Sequence, residues 1–192
     1  PPPRPPPTPT LRLSSAASDV YKRQALDIDG QLWTWGYNGH SGLGRNFRYN
    51  NNWYNSYVPS KIPQQVLDNR KLTDFWLGGG NYQQGHAIDA DGNLWAWGYN
   101  GYGALGLGDD QYQGQPRKVP YDFNKHGGVK KIIKAGYNSY IITAVLTHDG
   151  VMHIAGYLPW IGENFYRSGA NNGNDYWSCL LYTSDAADDS RS

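Results

Sequence analysis

Two pairs of carboxylates stand at a spacing that calcium-binding loops use. Residues 27–30 read DIDG and residues 89–92 read DADG, so two aspartates in each motif are separated by one residue. A calcium loop of this kind also needs glycine at its sixth position and a bidentate glutamate at its twelfth. Gly30 is fourth, and no carboxylate follows it until Asp68. The motifs therefore indicate turns between strands, and we predict no metal and no cofactor.

The remaining side chains that could catalyse a reaction form no known constellation. Residues 101–106 match the dinucleotide pattern G-x-G-x-x-G, but that pattern needs a helix after it, and residues 107–112 (LGDDQY) do not begin one. The five histidines include no H-E-x-x-H pair, the sole glutamate is Glu163, and G-x-S-x-G is absent. We therefore predict that the chain is not an enzyme.

A local basic stretch could bind phosphate groups, which requires positive charges on one face. Around the apolar pair Ile132 and Ile133, lysines more often form the solvated face of a strand and protect its edge. We predict that second role and regard nucleic acid as an unlikely partner. The stretch comprises Arg117, Lys118, Lys125, Lys130, Lys131 and Lys134.

Aromatic residues are the strongest compositional signal, with 8 Trp and 16 Tyr. Several of them fall in predicted loops, where burial in a core does not explain them. Aromatic rings with a polar tip are enriched where proteins recognise partners. We predict that these loop residues contact a protein or a glycan. They are Trp53, Tyr54, Tyr57, Tyr82, Tyr112 and Trp160.

The composition as a whole favours an all-β protein rich in turns. The 192 residues include 24 Gly and 12 Pro, and only 17% are charged. Coiled coils and helix bundles need far more Ala, Glu, Lys and Leu. No apolar run reaches the roughly 20 residues that a membrane helix requires.

The two ends differ in character from the rest of the chain. Residues 14–24 (SSAASDVYKRQ) and 179–189 (CLLYTSDAADD) can be encoded by opposite strands of one DNA word, which resembles a transposase adapter used for sequencing libraries. We therefore predict that residues 1–24, a proline-rich and disordered tail, and residues 179–192 are foreign to the fold. The core 25–178 is then formally neutral, and we expect it to be a fragment.

The core contains an internal repeat. Residues 25–39 (ALDIDGQLWTWGYNG) have a near copy at residues 87–101 (AIDADGNLWAWGYNG), and residues 145–157 form a third, degraded copy in which His153 stands at the place of Trp95. Asp-Gly between apolar runs predicts a hairpin with a type I′ turn. The repeating units lie near residues 25–44, 58–108 and 115–166, with loop insertions at 46–57 and 109–115.

The string DGxLWxWGYNGxxxLG resembles the repeat of the regulator of chromosome condensation family, a seven-bladed β-propeller. Residues 30–44 and 92–106 match that repeat well, and residues 150–162 match it poorly. The resemblance implies a partial β-propeller of about two to three four-stranded blades. It assigns structural roles to the residues that define the repeat: Gly30, Trp33, Trp35, Gly36, Asn38, Gly92, Trp95, Trp97, Gly98, Asn100, Gly150 and Gly156.

The family includes nucleotide-exchange factors for a small nuclear GTPase, but no residue of this sequence can be placed on the loops that carry exchange. We therefore predict a non-enzymatic binding scaffold. Two alternatives stay open, which are a carbohydrate-binding or surface-adhesion module and a fragment of an exchange factor.

Overall fold

The computed structural model describes residues 11–12, 22–46, 48–49, 52–53, 55–78, 82–137, 140–156 and 178–180. Within these residues the regular elements are β-strands and four short 3-10 helices. The strands form three four-stranded antiparallel sheets and one two-stranded hairpin. The 3-10 helices lie at Gly39–Ser41, Gln64–Leu67, Gly101–Gly103 and Phe123–His126.

Each large sheet is a meander of neighbouring strands. The first has the order β1-β2-β3-β6, with β1 Leu11–Arg12, β2 Lys22–Asp27, β3 Leu32–Gly36 and β6 Ser56–Lys61. The second has the order β10-β9-β8-β7, with β7 Leu72–Gly78, β8 Gln84–Asp89, β9 Leu94–Gly98 and β10 Gln113–Lys118. The third has the order β11-β12-β13-β14, with β11 Val129–Tyr137, β12 Tyr140–Thr147, β13 Met152–Gly156 and β14 Ser178–Leu180. The predicted all-β class and four-stranded units are confirmed.

Two strands lie in the segments that the sequence analysis set aside. β1 pairs with β2 in the first sheet, and β14 pairs with β13 in the third. β2 itself begins at Lys22, three residues before the predicted start of the core. Strand pairing uses backbone groups, so a segment of any origin can supply it. The foreign origin of the two ends stays a prediction.

The loop insertion predicted at residues 46–57 contains secondary structure. β4 Arg48–Tyr49 and β5 Asn52–Trp53 form the small hairpin, and β6 begins at Ser56. The described part of the predicted loop insertion therefore contains a short β-hairpin and the first residues of the last strand of the first sheet.

The hairpin turns differ from the predicted type I′. The Asp27 carbonyl accepts a hydrogen bond from Gly30 N–H at 3.0 Å, and the Gln31 carbonyl accepts one from Asp27 N–H at 3.0 Å. Only the glycine has a positive φ, of 75°, so the loop has three residues and ends in a glycine bulge. The cause is the Asp27 carboxylate, which accepts hydrogen bonds from the N–H groups of Asp29 and Gln31 at 3.0 and 2.9 Å. The same backbone pattern recurs at residues 89–93 and 147–151.

Apolar side chains fill the spaces between successive sheets. Side chains alternate along a strand, so each sheet presents one face to the sheet before it and the other to the sheet after it. The cluster between the first and second sheets contains Leu26, Leu32, Ile62, Leu67, Leu72, Phe75, Ala87, Trp95 and Trp97. The cluster between the second and third contains Ile88, Leu94, Ala96, Leu105, Leu107, Val119, Phe123, Val129, Val145 and Ala155. Meanders stacked in this way are successive blades of a propeller.

Trp97 is the largest side chain that is fully buried between the first two sheets. Its indole N–H donates to the carbonyl of Gly42, in the loop after β3, at 3.0 Å. Gly85 is its cross-strand partner, and a Cβ at Gly85 would run into the indole ring. The missing side chain of Gly85 thus makes room for Trp97.

The third unit solves the same packing problem with different residues. Ala155 replaces the tryptophan, and its cross-strand partner is Thr143 in place of the glycine. The Thr143 hydroxyl donates to the carbonyl of Ala104, which is the repeat equivalent of Gly42. At both interfaces the equivalent loop carbonyl therefore accepts a hydrogen bond. The donor is an indole N–H at the first interface and a hydroxyl at the second.

Candidate interaction surface

Four aromatic rings from three connections between strands meet at one end of the first two sheets. The His40 ring stacks on the Tyr82 ring, with centroids 5.0 Å apart. Tyr99 lies 4.7 Å from Tyr82 and 5.3 Å from Tyr112, and His40 lies 5.4 Å from Tyr112. We call His40, Tyr82, Tyr99 and Tyr112 the aromatic cluster.

The meander topology explains why these loops converge. The aromatic cluster comes from segments that follow β3, β7 and β9 and that precede β10. In an antiparallel meander, every second connection between strands lies at the same end of the sheet. The hairpins 27–30 and 89–92 lie at the opposite end, so the two ends of the sheets carry different loops.

Two asparagines hold the loops that carry the aromatic cluster. The Asn38 side-chain carbonyl accepts a hydrogen bond from Leu43 N–H at 3.0 Å, and Asn100 accepts one from Leu105 N–H at 2.9 Å. Both asparagines are buried. Asn100 also donates from its amide nitrogen to the carbonyl of Asp109 at 2.7 Å. These bonds fix the loop after each central strand to the segment that leads toward the next one.

Bulky residues occupy a left-handed backbone conformation at the tips of these loops. His40 has φ 52°, and its repeat equivalent Tyr102 has φ 59°. Glycine is the ordinary occupant of this region, and a bulky side chain there is strained. Tyr102 is nevertheless half exposed to solvent. The strain is thus not offset by burial of the Tyr102 ring.

A polar rim borders the aromatic cluster. The Asp109 carboxylate pairs with the Arg117 guanidinium at 2.6 Å and accepts a hydrogen bond from Gln111 N–H at 3.1 Å. Asp110 is exposed beside them. Within the aromatic cluster Tyr99 is buried, His40 and Tyr82 are half-buried, and Tyr112 is exposed. Aromatic rings inside a polar rim are a usual composition of a protein-binding patch.

The six aromatic residues that the sequence placed in loops lie in different parts of the structure. Tyr82 and Tyr112 lie in loops, as predicted, and both join the aromatic cluster. Tyr57 lies in β6, not in a loop, and is 76% exposed. Trp53 lies in β5, and its side chain is outside the described residues, as are Tyr54 and Trp160.

Sequence reasoning missed His40 and Tyr99 as members of the aromatic cluster. Tyr99 was assigned to the turn after the second tryptophan pair, and His40 was weighed only as a catalyst or metal ligand. Their repeat equivalents, Tyr102 and Tyr37, are both exposed aromatic residues. An aromatic residue at both equivalent positions was the signal that could have identified them.

The glycines and tryptophans that define the repeat have structural roles. Gly30, Gly92 and Gly150 close the three hairpins, and Gly36, Gly98 and Gly156 end the central strands with φ between 97° and 115°. The indoles of Trp33 and Trp95 each donate to the aspartate that begins their hairpin, Asp27 or Asp89, at 3.0 Å. Trp35, at the place of Trp97, faces away from the second sheet and is only half-buried.

The turn carboxylates are therefore engaged within the fold. Hydrogen bonds from the Trp33 indole and from the turn backbone hold the pKa of Asp27 below its ordinary value, against the raising effect of its burial. Among the described residues, no group of three or more His, Cys, Asp or Glu side chains could hold a metal ion. In the described part of the chain, no helix is both long enough and apolar enough to span a membrane.

His153 belongs to a small polar cluster in the third unit. His126 pairs with Asp149 at 2.8 Å, and its other ring nitrogen lies 3.3 Å from the Tyr121 hydroxyl. Hydrogen bonds from Thr147 and His126 lower the pKa of Asp149 to about 2. Burial, with a smaller effect from His126, lowers the pKa of His153 to about 4. The cluster joins the segment before β11 to the third hairpin, and His153 is a strand residue, as predicted.

The lysine stretch is not all on a solvated face, contrary to prediction. Lys130, Lys131 and Ile133 are exposed on β11. Lys134 is half-buried and turns toward the second sheet, beside Gln84. The bulge between Val129 and Lys131 shifts the alternation of the strand by one residue, which reverses the faces of all later residues.

Comparison with known proteins supports the repeat assignment. The model of the regulator of chromosome condensation (RCC1) repeat matches residues 91–141, from the second hairpin into β12. The chain therefore carries an RCC1 repeat. Over 136 residues it is 35% identical to the human probable E3 ubiquitin-protein ligase HERC3. This alignment covers 66% of this chain and 11% of HERC3. It is 29% identical over 153 residues to the ultraviolet-B receptor UVR8 of Arabidopsis thaliana. That alignment covers 78% of this chain and 30% of the receptor.

Two solved structures share the fold. Human WBSCR16 superimposes with a TM-score of 0.54 at 23% identity, over 71% of this chain and 31% of that one. Yeast RCC1 (Prp20), in its crystal structure with Kap60, gives 0.51 at 22% identity, over 71% and 30% of the two chains. The chain thus spans less than a third of each of these four relatives. The partial propeller predicted from the sequence is confirmed.

Proposed function

We propose that this RCC1-repeat chain is a binding scaffold that contacts a protein partner through the aromatic cluster and the exposed rings of Tyr37 and Tyr102, and that it catalyses no reaction itself. The two blades position the loops, and the loops present the rings. Their exposed fractions are 39% for Tyr37, 50% for Tyr102 and 49% for Tyr112.

The observation that carries this proposal is the strained, exposed aromatic residue at the loop tip. Tyr102 adopts a backbone conformation that glycine would adopt without strain, while half of its surface stays in solvent. Residues with a strained backbone are concentrated at binding and catalytic sites. Recognition of a partner is a reason for tyrosine to be retained there.

The shape and charge of the surface favour a protein over the other partner classes. The Tyr99 and Tyr112 rings are tilted by 33° to each other, and Tyr82 meets Tyr99 at 62°, so the rings form no flat platform for a sugar ring to stack on. Asp109 is neutralised by its pairing with Arg117, and exposed Asp110 at the rim opposes the phosphates of a nucleic acid. Yeast RCC1 (Prp20) has been crystallised bound to the protein Kap60.

The proposal is tested by site-specific crosslinking followed by binding measurements. A photo-crosslinking amino acid replaces Tyr102, and the matched control carries it at Ile28, which is 71% exposed in the hairpin at the opposite end of the first sheet. We expect a protein adduct from position 102 that the control does not give. The purified partner should then bind Y102S and Y112S at least about tenfold more weakly than the parent chain and I28S, as loss of an aromatic anchor predicts.

Other outcomes would change the assignment. Equal affinity of Y102S, Y112S and the parent chain for the partner would refute the role of the aromatic cluster. A glycan-array signal that the same two variants lose would replace the protein partner with a carbohydrate. Stimulated nucleotide release from a small GTPase would instead establish the exchange-factor alternative.

A further inference from the structure

Lys134 lies with its ammonium at the interface between the second and third sheets. It donates hydrogen bonds to the Gln84 side-chain carbonyl and the Thr143 hydroxyl. Its nitrogen also lies 5.2 Å from the centroid of the Trp76 ring. All three of these partners are neutral, and none of the ion pairs among the described residues includes Lys134. A half-buried cation without a counter-charge is costly.

His86 lies beside this lysine and is also incompletely satisfied. Its side chain is fully buried on β8, between Trp76 and Ala96 on the neighbouring strands. Within the described part of the chain, neither ring nitrogen has a hydrogen-bond partner. Burial lowers the pKa of His86, and repulsion from the Lys134 ammonium lowers it further. The two groups thus destabilise each other's charge in the structure as it stands.

One kind of ligand would satisfy both Lys134, which lacks a counter-charge, and His86, which lacks a hydrogen-bond partner. An oxyanion accepts hydrogen bonds from both an ammonium and an imidazolium and supplies the missing negative charge. The Trp76 ring provides an apolar wall, and burial strengthens such charged hydrogen bonds. Because Lys134 is half-buried while His86 is fully buried, an anion would approach from the side of the lysine.

We propose that the interface between the second and third sheets contains a binding pocket for an oxyanion, either a carboxylate or a phosphate group, with Lys134 and His86 as its donors. A partner's acidic side chain and a free or protein-borne phosphate share this chemistry. The pocket adjoins the aromatic cluster, because Gln84 also donates a hydrogen bond from its side-chain amide to the Tyr99 carbonyl at 2.7 Å. Anion binding is measured without any protein partner, so it can be present or absent whatever the fate of the proposed scaffold function.

The proposal makes a prediction about pH. Lys134 on β11 and His86 on β8 are the titratable groups of the pocket, and their neighbours Trp76, Gln84 and Thr143 do not titrate in the neutral range. Anion binding favours the protonated forms of both, so the complex takes up protons. Affinity should therefore rise as the pH falls from about 8 to about 6.

The repeat itself suggests which substitutions the fold tolerates. Leu77 holds the strand position in the second unit that Lys134 holds in the third, since their cross-strand partners Gly85 and Thr143 are equivalent. Gln24 in the first unit holds the position of His86. Lys134→Leu and His86→Gln are therefore the variants to test, with Lys130→Leu as the matched control for an exposed lysine on the same strand.

The experiment titrates inorganic phosphate and acetate into the full 192-residue chain, with calorimetry and the imidazole NMR resonances of His86 as the two readouts. We expect binding in the millimolar range or tighter, a shift of the His86 resonances on saturation, and tighter binding at the lower pH. K134L should weaken binding at least about tenfold, whereas K130L should bind like the parent chain. H86Q, which keeps a donor, should lie between them.

Specific results would overturn the proposal. Equal binding by folded K134L and the parent chain would show that any anion binds elsewhere. If K134L does not fold by circular dichroism, Lys134→Gln replaces it. Unchanged His86 resonances in the parent chain at about 50 mM phosphate and acetate, well above a millimolar dissociation constant, would refute the pocket without any variant. A phosphate affinity at least tenfold above that of acetate would identify a phosphate group as the ligand, and the reverse would identify a carboxylate.

Discussion

The exchange of the pair Gly85–Trp97 for Thr143–Ala155 predicts a measurable coupling between two buried positions. Trp97→Ala should destabilise the fold by about 3–5 kcal/mol through loss of a buried ring. It also removes the donor to the Gly42 carbonyl, which adds about 1 kcal/mol or more. Gly85→Thr alone places its side chain against the indole, and such overpacking costs about 1–3 kcal/mol or more.

The double variant G85T/W97A copies the third unit and should be much less destabilised than the sum of the single variants. The threonine side chain fills part of the space left by the indole, and its hydroxyl can donate to the Gly42 carbonyl as Thr143 does to Ala104. The clash is also gone. We expect a coupling free energy of about 2 kcal/mol or more, at the upper end for residues in contact.

Urea unfolding followed by far-UV circular dichroism measures this cycle. If W97A is unfolded without urea, Trp97→Leu serves in its place, because it also removes the indole N–H and leaves space for the threonine but forms a smaller cavity. The matched control is the same cycle between Trp97 and Gly150, which are far apart and should be additive. Additivity at Gly85 and Trp97 would refute the equivalence of the two interfaces.

Three further predictions concern the turn, the loop tip and the third unit. Asp89→Ala should cost about 3 kcal/mol in urea unfolding because it orphans the Trp95 indole and two turn N–H groups, whereas exposed Asp91→Ala should cost under about 0.5 kcal/mol. Tyr102→Gly should leave the free energy of unfolding unchanged or raise it by up to about 1 kcal/mol, whereas Gly103→Ala at φ 68° should lower that free energy by about 1 kcal/mol. The melting temperatures of the two variants check this. The pKa of His153, lowered to about 4, means that the unfolded chain binds more protons between that pH and 6.5. Stability should therefore fall as the pH drops through this range, by about 3 kcal/mol, and His153→Gln should flatten the fall in urea unfolding at a series of pH values.

A specific result would contradict each of these predictions. Equal losses for the two aspartate variants would mean that the Asp89 hydrogen bonds add nothing. A clear drop in melting temperature for Tyr102→Gly would show that the tyrosine stabilises the loop and would remove the main support for its role in binding. An NMR titration of His153 with a midpoint near 6.5 would contradict its depressed pKa.

The repeat and its fold class were readable from the sequence because they rest on local patterns. The Trp-x-Trp-Gly strings at residues 33–36 and 95–98 mark the central strands in two units. The turn type was missed for a physical reason. The Asp-Gly pair alone favours type I′, but the buried Asp27 that precedes the turn captures two N–H groups and selects a longer loop.

The candidate surface and the lysine pocket were harder to foresee because both depend on how separate segments meet. Tyr82 comes from the connection between β7 and β8, whereas Tyr99 and Tyr112 come from opposite ends of the connection between β9 and β10, and only the meander brings the three together. Lys134 was assigned to the wrong face because the bulge at the start of β11 has no clear mark in the sequence. Local periodicity does not register a single inserted residue.

The differing cross-strand pairs also give the repeats a fixed order. A shuffled gene that set the third unit directly after the first would bring Thr143 and Ala155 to the loop of Gly42, and one that repeated the second unit would bring a second copy of Trp97 to Ala104. Each junction would then join surfaces that were shaped for other neighbours. Lengthening or recombining this array should therefore succeed only at boundaries where a loop and the following pair are transferred as one block.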